Sequence, residues 1–395
     1  MALIASPAWA APADNTWTQL TSLPEKLDAP VLAIAVSPSN PLQVLLGTGS
    51  GSVYRSGDAG VTWTLTGHAM GRGVVSLAFS PFKAGLVFAG TRGQGIWRST
   101  DSGATWARQQ PSGPMTIRSF AFAKSQSLAG GDSGLFTSRD GIAWAPIPAL
   151  KDLSLVALAA PAVNDPARFL AGGDASRGVE ALPLYQSQDG GSTWTLLKAG
   201  LGSSSMVAAA AAGPLPAKGD VRPLVVGTNV GAYLSVDNGA TWTQAAGLPA
   251  VDYNAVGFVS NHPERFYLAS DGGGSVSGGL WSTADAGQTF RTLQPPVPSV
   301  TALALSAEDT PTLYVATFRP IDHAVHLWTY RDAGGPPAVS AALPAPARSV
   351  APKAVRVTGS GWLSDPAVPY VALSVLALAV LFLAVVFYLR SGKER

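Results

Sequence analysis

The chain has 395 residues, a formal charge of +2 and no cysteine, which excludes disulfides, thiol catalysis and cysteine-ligated metals. Six Lys/Arg against two acids follow Pro336, so the remainder carries about −2. A near-neutral body of that kind gives no electrostatic case for nucleic acid.

Residues 1–14 come first. Ala8-Trp9-Ala10 looks like a signal-peptidase site, but no Lys or Arg precedes Lys26. The segment reads as the remnant of a signal peptide or a disordered lead. From residue 15 to 335 one unit recurs. Each copy opens on an apolar inner strand, expected at 31–36, 74–79, 117–122, 155–160, 206–211, 253–258 and 300–305. A second strand often ends in a Gly-rich turn, as at Gly90-Thr-Arg-Gly and Gly227-Thr-Asn-Val-Gly. A third strand carries an aromatic residue: Tyr54, Trp97, Phe136, Tyr185, Tyr233, Trp281 or Trp328. Short strands punctuated by turns at a fixed period indicate a repeat fold built of four-stranded antiparallel sheets.

Two residues beyond each aromatic an octapeptide begins. It reads Ser56-Gly-Asp58-Ala-Gly60-Val-Thr62-Trp63 in the first unit and returns around Asp101, Asp189, Asp237 and Asp285. The copy at Asp140 is one residue short, and a decayed copy, Tyr330-Arg-Asp332-Ala-Gly334, ends the series. The chemistry of S-x-D-x-G-x-T-W is that of a turn. The carboxylate accepts main-chain N–H groups, Gly takes a positive φ, and Thr-Trp opens a fourth strand with its indole in the core.

This pattern resembles the Asp-box of the bacterial neuraminidase-type repeat. The resemblance implies an all-β, seven-bladed β-propeller over 15–335, with the six aspartates in structural roles. The seventh unit has no fourth strand, whereas Asn15–Leu20 begins like every strand after a box and lacks the three before it. The N-terminal strand is therefore expected to complete the last blade, which leaves the ring without an open edge. The alternative is six blades with an appendage.

After the repeat, 336–366 is a Pro/Ala-rich tether. Residues 367–389 form an uncharged apolar run of the length that spans a bilayer as a helix. The tail at 390–395 carries Arg390, Lys393 and Arg395. By the positive-inside tendency this tail is cytoplasmic, and the propeller lies outside a cell membrane that the chain crosses once. The Ala-rich composition points to a bacterial protein.

Chemistry is expected on the face opposite the boxes, around the central channel. Crossovers between blades place His68, Arg72, Arg118, Lys151, Asp152, Asp252 and Tyr253 there. Turns between second and third strands add Arg92, Asp132, Asp174, Arg177, Asn229, Asp271, Arg319, Asp322 and His323. Nine basic residues stand against three acids between Arg55 and Arg139, so blades one to three should carry a basic sector centred on Arg72, Arg92 and Arg118. Guanidinium groups suit carboxylates and acidic partner loops through planar, bidentate bonding.

The phrase from Gly90 to Trp106 is similar to the photosystem II stability/assembly-factor propellers. That likeness implies a cofactor-free scaffold binding a membrane or extracytoplasmic protein. The membrane span is a departure from that family, so its client does not carry over. Sialidases share the box, but their Phe/Tyr-Arg-Ile-Pro motif is missing, and Phe318-Arg319-Pro320 is a poor echo. Xyloglucanase-like hydrolases use paired propellers, whereas this chain has one. A glycan-binding or glycoside-hydrolysing propeller is thus the alternative, with Asp132, Asp174 and Asp271 as the candidate carboxylates. No catalytic residue, cofactor or metal is assigned: the pair His323 and His326 should point to opposite faces of a strand.

Overall fold

Seven four-stranded antiparallel sheets make up the computed structural model. It describes residues 12–334 apart from 21–22, 24–26, 28, 110–114, 160–167, 175–182, 198–200, 202–205, 217–220, 274–275 and 320. These fall within one compact unit, Met1–Ala341. Among them no helix is long and apolar enough to cross a membrane; the expected tether, the span at 367–389 and the basic tail lie outside the described residues.

Blade one shows the pattern. Its strands Val31–Ser37, Asn40–Thr48, Val53–Ser56 and Thr64–Gly67 pair in sequence order. Blades two to six repeat this, with inner strands Val74–Phe79, Ile117–Ala123, Leu155–Ala159, Val207–Ala212 and Ala255–Val259. Blade seven runs Val300–Leu305, Thr312–Arg319, Ala324–Arg331, and its fourth strand is the N-terminal Trp17–Gln19. Trp17 pairs with Tyr330 and Gln19 with Trp328. The ring is closed as the sequence predicts, and the six-bladed alternative is set aside.

The cores lie between blades rather than within them. Leu45 and Val53 of blade one pack with Val74, Leu77, Phe79 and Val87 of blade two. Val31, Leu46 and Tyr54 pack with Tyr314, Ala316 and Leu327 of blade seven. Apolar strands in a propeller are buried on both faces, because each sheet is roofed by the next, so they lack a clean alternation. Close approach of neighbouring sheets demands a small residue in the second strand. A Cβ on Gly90 would lie 2.3 Å from the carbonyl oxygen of Ile117, and one on Gly227 the same distance from that of Tyr253. The matching positions in blades six and seven hold Ala269 and Ala316, each opposite an inner-strand alanine.

Blades six and seven differ from the rest in how far their hairpins run beyond the box-free end. In blade two pairing of the second and third strands stops at Thr91 with Gly95, whereas in blade seven it continues through Phe318 with Val325 to Arg319 with Ala324. Pairing in blade six continues to Gly272 with Ser277 and Gly273 with Val276. These hairpins carry the face opposite the boxes outward on one side of the channel.

Candidate partner-binding face

The box face is a set of stapled turns. In blade one the Ser56 hydroxyl donates to Asp58 Oδ1 at 2.7 Å and accepts the main-chain N–H of Gly60 at 2.8 Å. Thr62 donates its N–H to Oδ1 and its hydroxyl to Oδ2 of the same carboxylate, at 2.8 and 2.5 Å. The bonds recur at Asp101, Asp189, Asp237 and Asp285. The shortened copy at Asp140 accepts from the N–H groups of Ile142 and Ala143 instead. Donation by Thr193 and Thr289 holds the carboxyls of Asp189 and Asp285 down at about 2. These carboxylates are committed to their own turns, and nothing about them suggests chemistry.

The decayed seventh copy behaves differently. Without a Thr and a following strand, Asp332 has few local donors, and its side chain turns inward, 3 % exposed. It accepts the hydroxyl of Tyr267 at 2.6 Å and Arg291 Nη2 at 2.7 Å, both from blade six. Asn15 covers this end, donating to the carbonyl of Gly334 at 2.6 Å and accepting the N–H of Ala333. Asp14 pairs with Arg331 beside it.

The opposite face is organised by one ring of equivalent positions. Two residues beyond the small residue of each second strand stand Gly49, Arg92, Asp132, Asp174, Asn229, Asp271 and Phe318. Six of them donate a main-chain N–H to the residue just before the inner strand: Pro30, Gly73, Thr116, Ser154, Met206 and Ser299. Register puts Asp271 in the same place, since Ala269 pairs with Ala255 as Gly90 does with Ser76. The channel mouth is thus ringed by one arginine and three aspartates, a pattern the sequence held but that counting charges along the chain did not expose.

Arg72 and Arg92 meet on this face. The N–H of Arg72 donates to the carbonyl of Arg92 at 3.0 Å, both side chains are exposed, and among the described residues neither guanidinium has a side-chain partner. Arg118 stands one blade further on, at a bulge of the inner strand, and its Nε donates to Asp132 Oδ1 at 2.8 Å. The expected trio is therefore two open cations and an ion pair. Asp174 accepts the Ser154 hydroxyl at 2.9 Å.

Blade six carries the opposite charge. Asp252, in the crossover from blade five, and Asp271, on the ring, lie near enough for their charges to oppose one another. Burial, then the charge of Asp271, pushes the Asp252 carboxyl up; burial does the same to Asp271. Oδ1 of Asp252 is shielded from solvent and has no hydrogen-bond partner. Tyr253 is consumed by structure, donating its hydroxyl to the carbonyl of Pro249. His323 meets Phe318 edge-on, and His326 lies tilted beside Trp328 and meets Gln19. Among the described residues no cluster of three metal-ligating side chains occurs. Arg177 lies outside the described residues.

No protein-family model matches the chain, and no curated protein is similar to it in sequence. Solved structures resemble it in fold. YCF48 from Cyanidioschyzon merolae matches at 17 % identity and a TM-score of 0.56, over 80 % of this chain and 98 % of its own. A structure of YCF48 bound to D1 peptide matches at 16 % identity and 0.55, over 82 % of this chain and 99 % of its own. The GH74 xyloglucanase from Xanthomonas campestris matches at 14 % identity and 0.58 over 80 % of this chain. The chain spans only 56 % of that enzyme's length. The likeness is one of fold. What this chain shares with the YCF48 and GH74 structures is the propeller fold.

Proposed function

We propose that the chain is a membrane-tethered, extracytoplasmic propeller that binds a protein partner on its channel face and catalyses no reaction. The observation that carries this reading is the pair Arg72 and Arg92, exposed and main-chain-bonded at the mouth of a rigid ring. A planar, always-charged donor with no internal carboxylate suits an acidic group on another protein. The YCF48 structure that holds a D1 peptide supports a peptide ligand for a ring of this kind. The apolar run at 367–389 supports the tether.

The test is site-specific photo-cross-linking of the full-length protein in membranes of its native host. A cross-linker at Gln94, beside Arg92, should give a discrete protein adduct that disappears in the double variant Arg72→Ala, Arg92→Ala. One at Val236, exposed in a box, should give none. An adduct from Val236 alone, or one indifferent to the arginines, would sink the proposal. Protease accessibility in intact spheroplasts tests the sidedness.

A second reading is favoured by one observation, the carboxyls of Asp252 and Asp271, both pushed up and the first in part by the charge of the second. Glycoside hydrolysis uses a pair of carboxyls, one with a raised pKa that acts as the acid and one that stays ionised. That reading requires release of sugar from an oligosaccharide panel, abolished by either Asp→Asn change.

A further inference from the structure

Apart from Asp174 of blade four, bonded to the Ser154 hydroxyl, unpaired charge at the channel mouth gathers at two places. On blade two stand Arg72 and Arg92 without carboxylate partners among the described residues. Blade three neutralises itself through Arg118 and Asp132. On blade six stand Asp252 and Asp271, and no Lys, Arg or His among the described residues pairs with either. In a ring of seven, blade two faces the junction of blades five and six. Asp252 lies in the crossover between those two blades, so the poles are diametric.

We infer that the partner presents a dipolar polypeptide segment laid across the channel mouth, its carboxylate over Arg72 and Arg92 and a Lys or Arg over Asp252 and Asp271. This rests on the scaffold reading above and adds the chemistry and direction of what is bound. Complementary charge at two fixed points sets orientation and rejects segments of uniform sign, because a misplaced like charge is repelled rather than merely unpaired. An acid-only ligand would satisfy the arginines but leave the like-charged aspartates, one oxygen of which lacks any donor, uncompensated. A bound cation there relieves both defects. Asp271 itself stands on the long hairpin of blade six, whose strands are His262–Gly273 and Val276–Thr283.

The experiment is to pan a random peptide library on the full-length protein in nanodiscs at low salt. Enriched sequences should carry an acid and a base separated along the segment, and binding should fall steeply as salt is raised. In the double variant Asp252→Lys, Asp271→Lys the base should drop out of the enriched set and be replaced by an acid. In Arg72→Ala, Arg92→Ala the acid should drop out. Removing either pole should weaken a chosen dipolar peptide about tenfold. If the lysine variant unfolds, Asp271→Asn, with its melt compared to the parent, gives the same reading with a smaller effect. Enrichment of purely acidic peptides that depends on the arginines would overturn the dipolar segment and leave the scaffold standing. Enrichment indifferent to all four residues, or none, would overturn both.

Discussion

At the scale of single residues, the carboxylates divide by what surrounds them. Asp332 stands in the decayed repeat, and its side chain supports a hydroxyl and a guanidinium of the neighbouring blade. Asp332→Ala should cost about 3 kcal/mol, since removing one partner strands a buried donor and a half-buried cation; denaturant unfolding checks it. The sequence named Asp332 as a worn copy and could not show the inversion, because Tyr267 and Arg291 are brought to it by ring geometry. Asp252 is the reverse case. Its folded pKa lies above the unfolded value, so its ionised form destabilises the fold at neutral pH. The penalty is relieved as pH falls through the folded pKa and is gone below about 3.9, where both states are protonated. Asp252→Asn should therefore raise Tm at pH 7 and make no difference near pH 3. A fall in Tm at pH 7 would show that the carboxylate is supported after all. The sequence listed Asp252 and Asp271 separately; their meeting depends on a register across nineteen residues.

At the scale of the element, the octapeptide was fully legible as a turn, and its hydrogen bonds follow from residue type. Asp189 illustrates the consequence for pH. Held at about 2 by Thr193, it contributes stability above the unfolded pKa near 3.9, and this is lost as pH falls from about 4 towards 2. Asp189→Asn should lower Tm at pH 7, with the gap to the parent closing near pH 2. One property of the turn was not legible. Besides the glycine, the residue before it also has positive φ, at Ala59, Ser102, Asn238 and Ala286, all near +60°. A side chain in that region carries a cost of about 1 kcal/mol. Ala286→Gly should recover up to about 1 kcal/mol of stability, seen as a rise in Tm. The basic sector was legible only by location. Arg118 and Asp132 are 14 residues apart, and only the inner-strand bulge turns one onto the other.

At the scale of the molecule, the count of blades and the manner of closure could be read directly, since seven inner strands and one orphan fourth strand admit few arrangements. Trp17 secures the closure. It is 8 % exposed, lies 4.9 Å from the ring of Tyr330 and donates its indole N–H to the carbonyl of Leu293 in blade six at 2.9 Å. Trp17→Ala should cost about 3–5 kcal/mol, the range for emptying a large buried aromatic site. Loss of hydrogen-exchange protection should concentrate in Ala324–Arg331, the strand left with a free edge. Equal loss in all blades would mean that the ring unfolds as one cooperative unit.

The closing strand also imposes an order in time. Its partners, Trp328 to Tyr330, are made more than three hundred residues after it. At about 10 residues per second that is roughly half a minute of synthesis. Through this interval Trp17–Gln19 has no sheet to join, and Val31–Ser37 has no seventh blade to cover it. A chain interrupted before Tyr330 keeps both surfaces bare and offers them to other chains as pairing edges. Completion of the last blade is therefore the event that separates a closed ring from one with a bare edge, and the first strand made is the last to find its place.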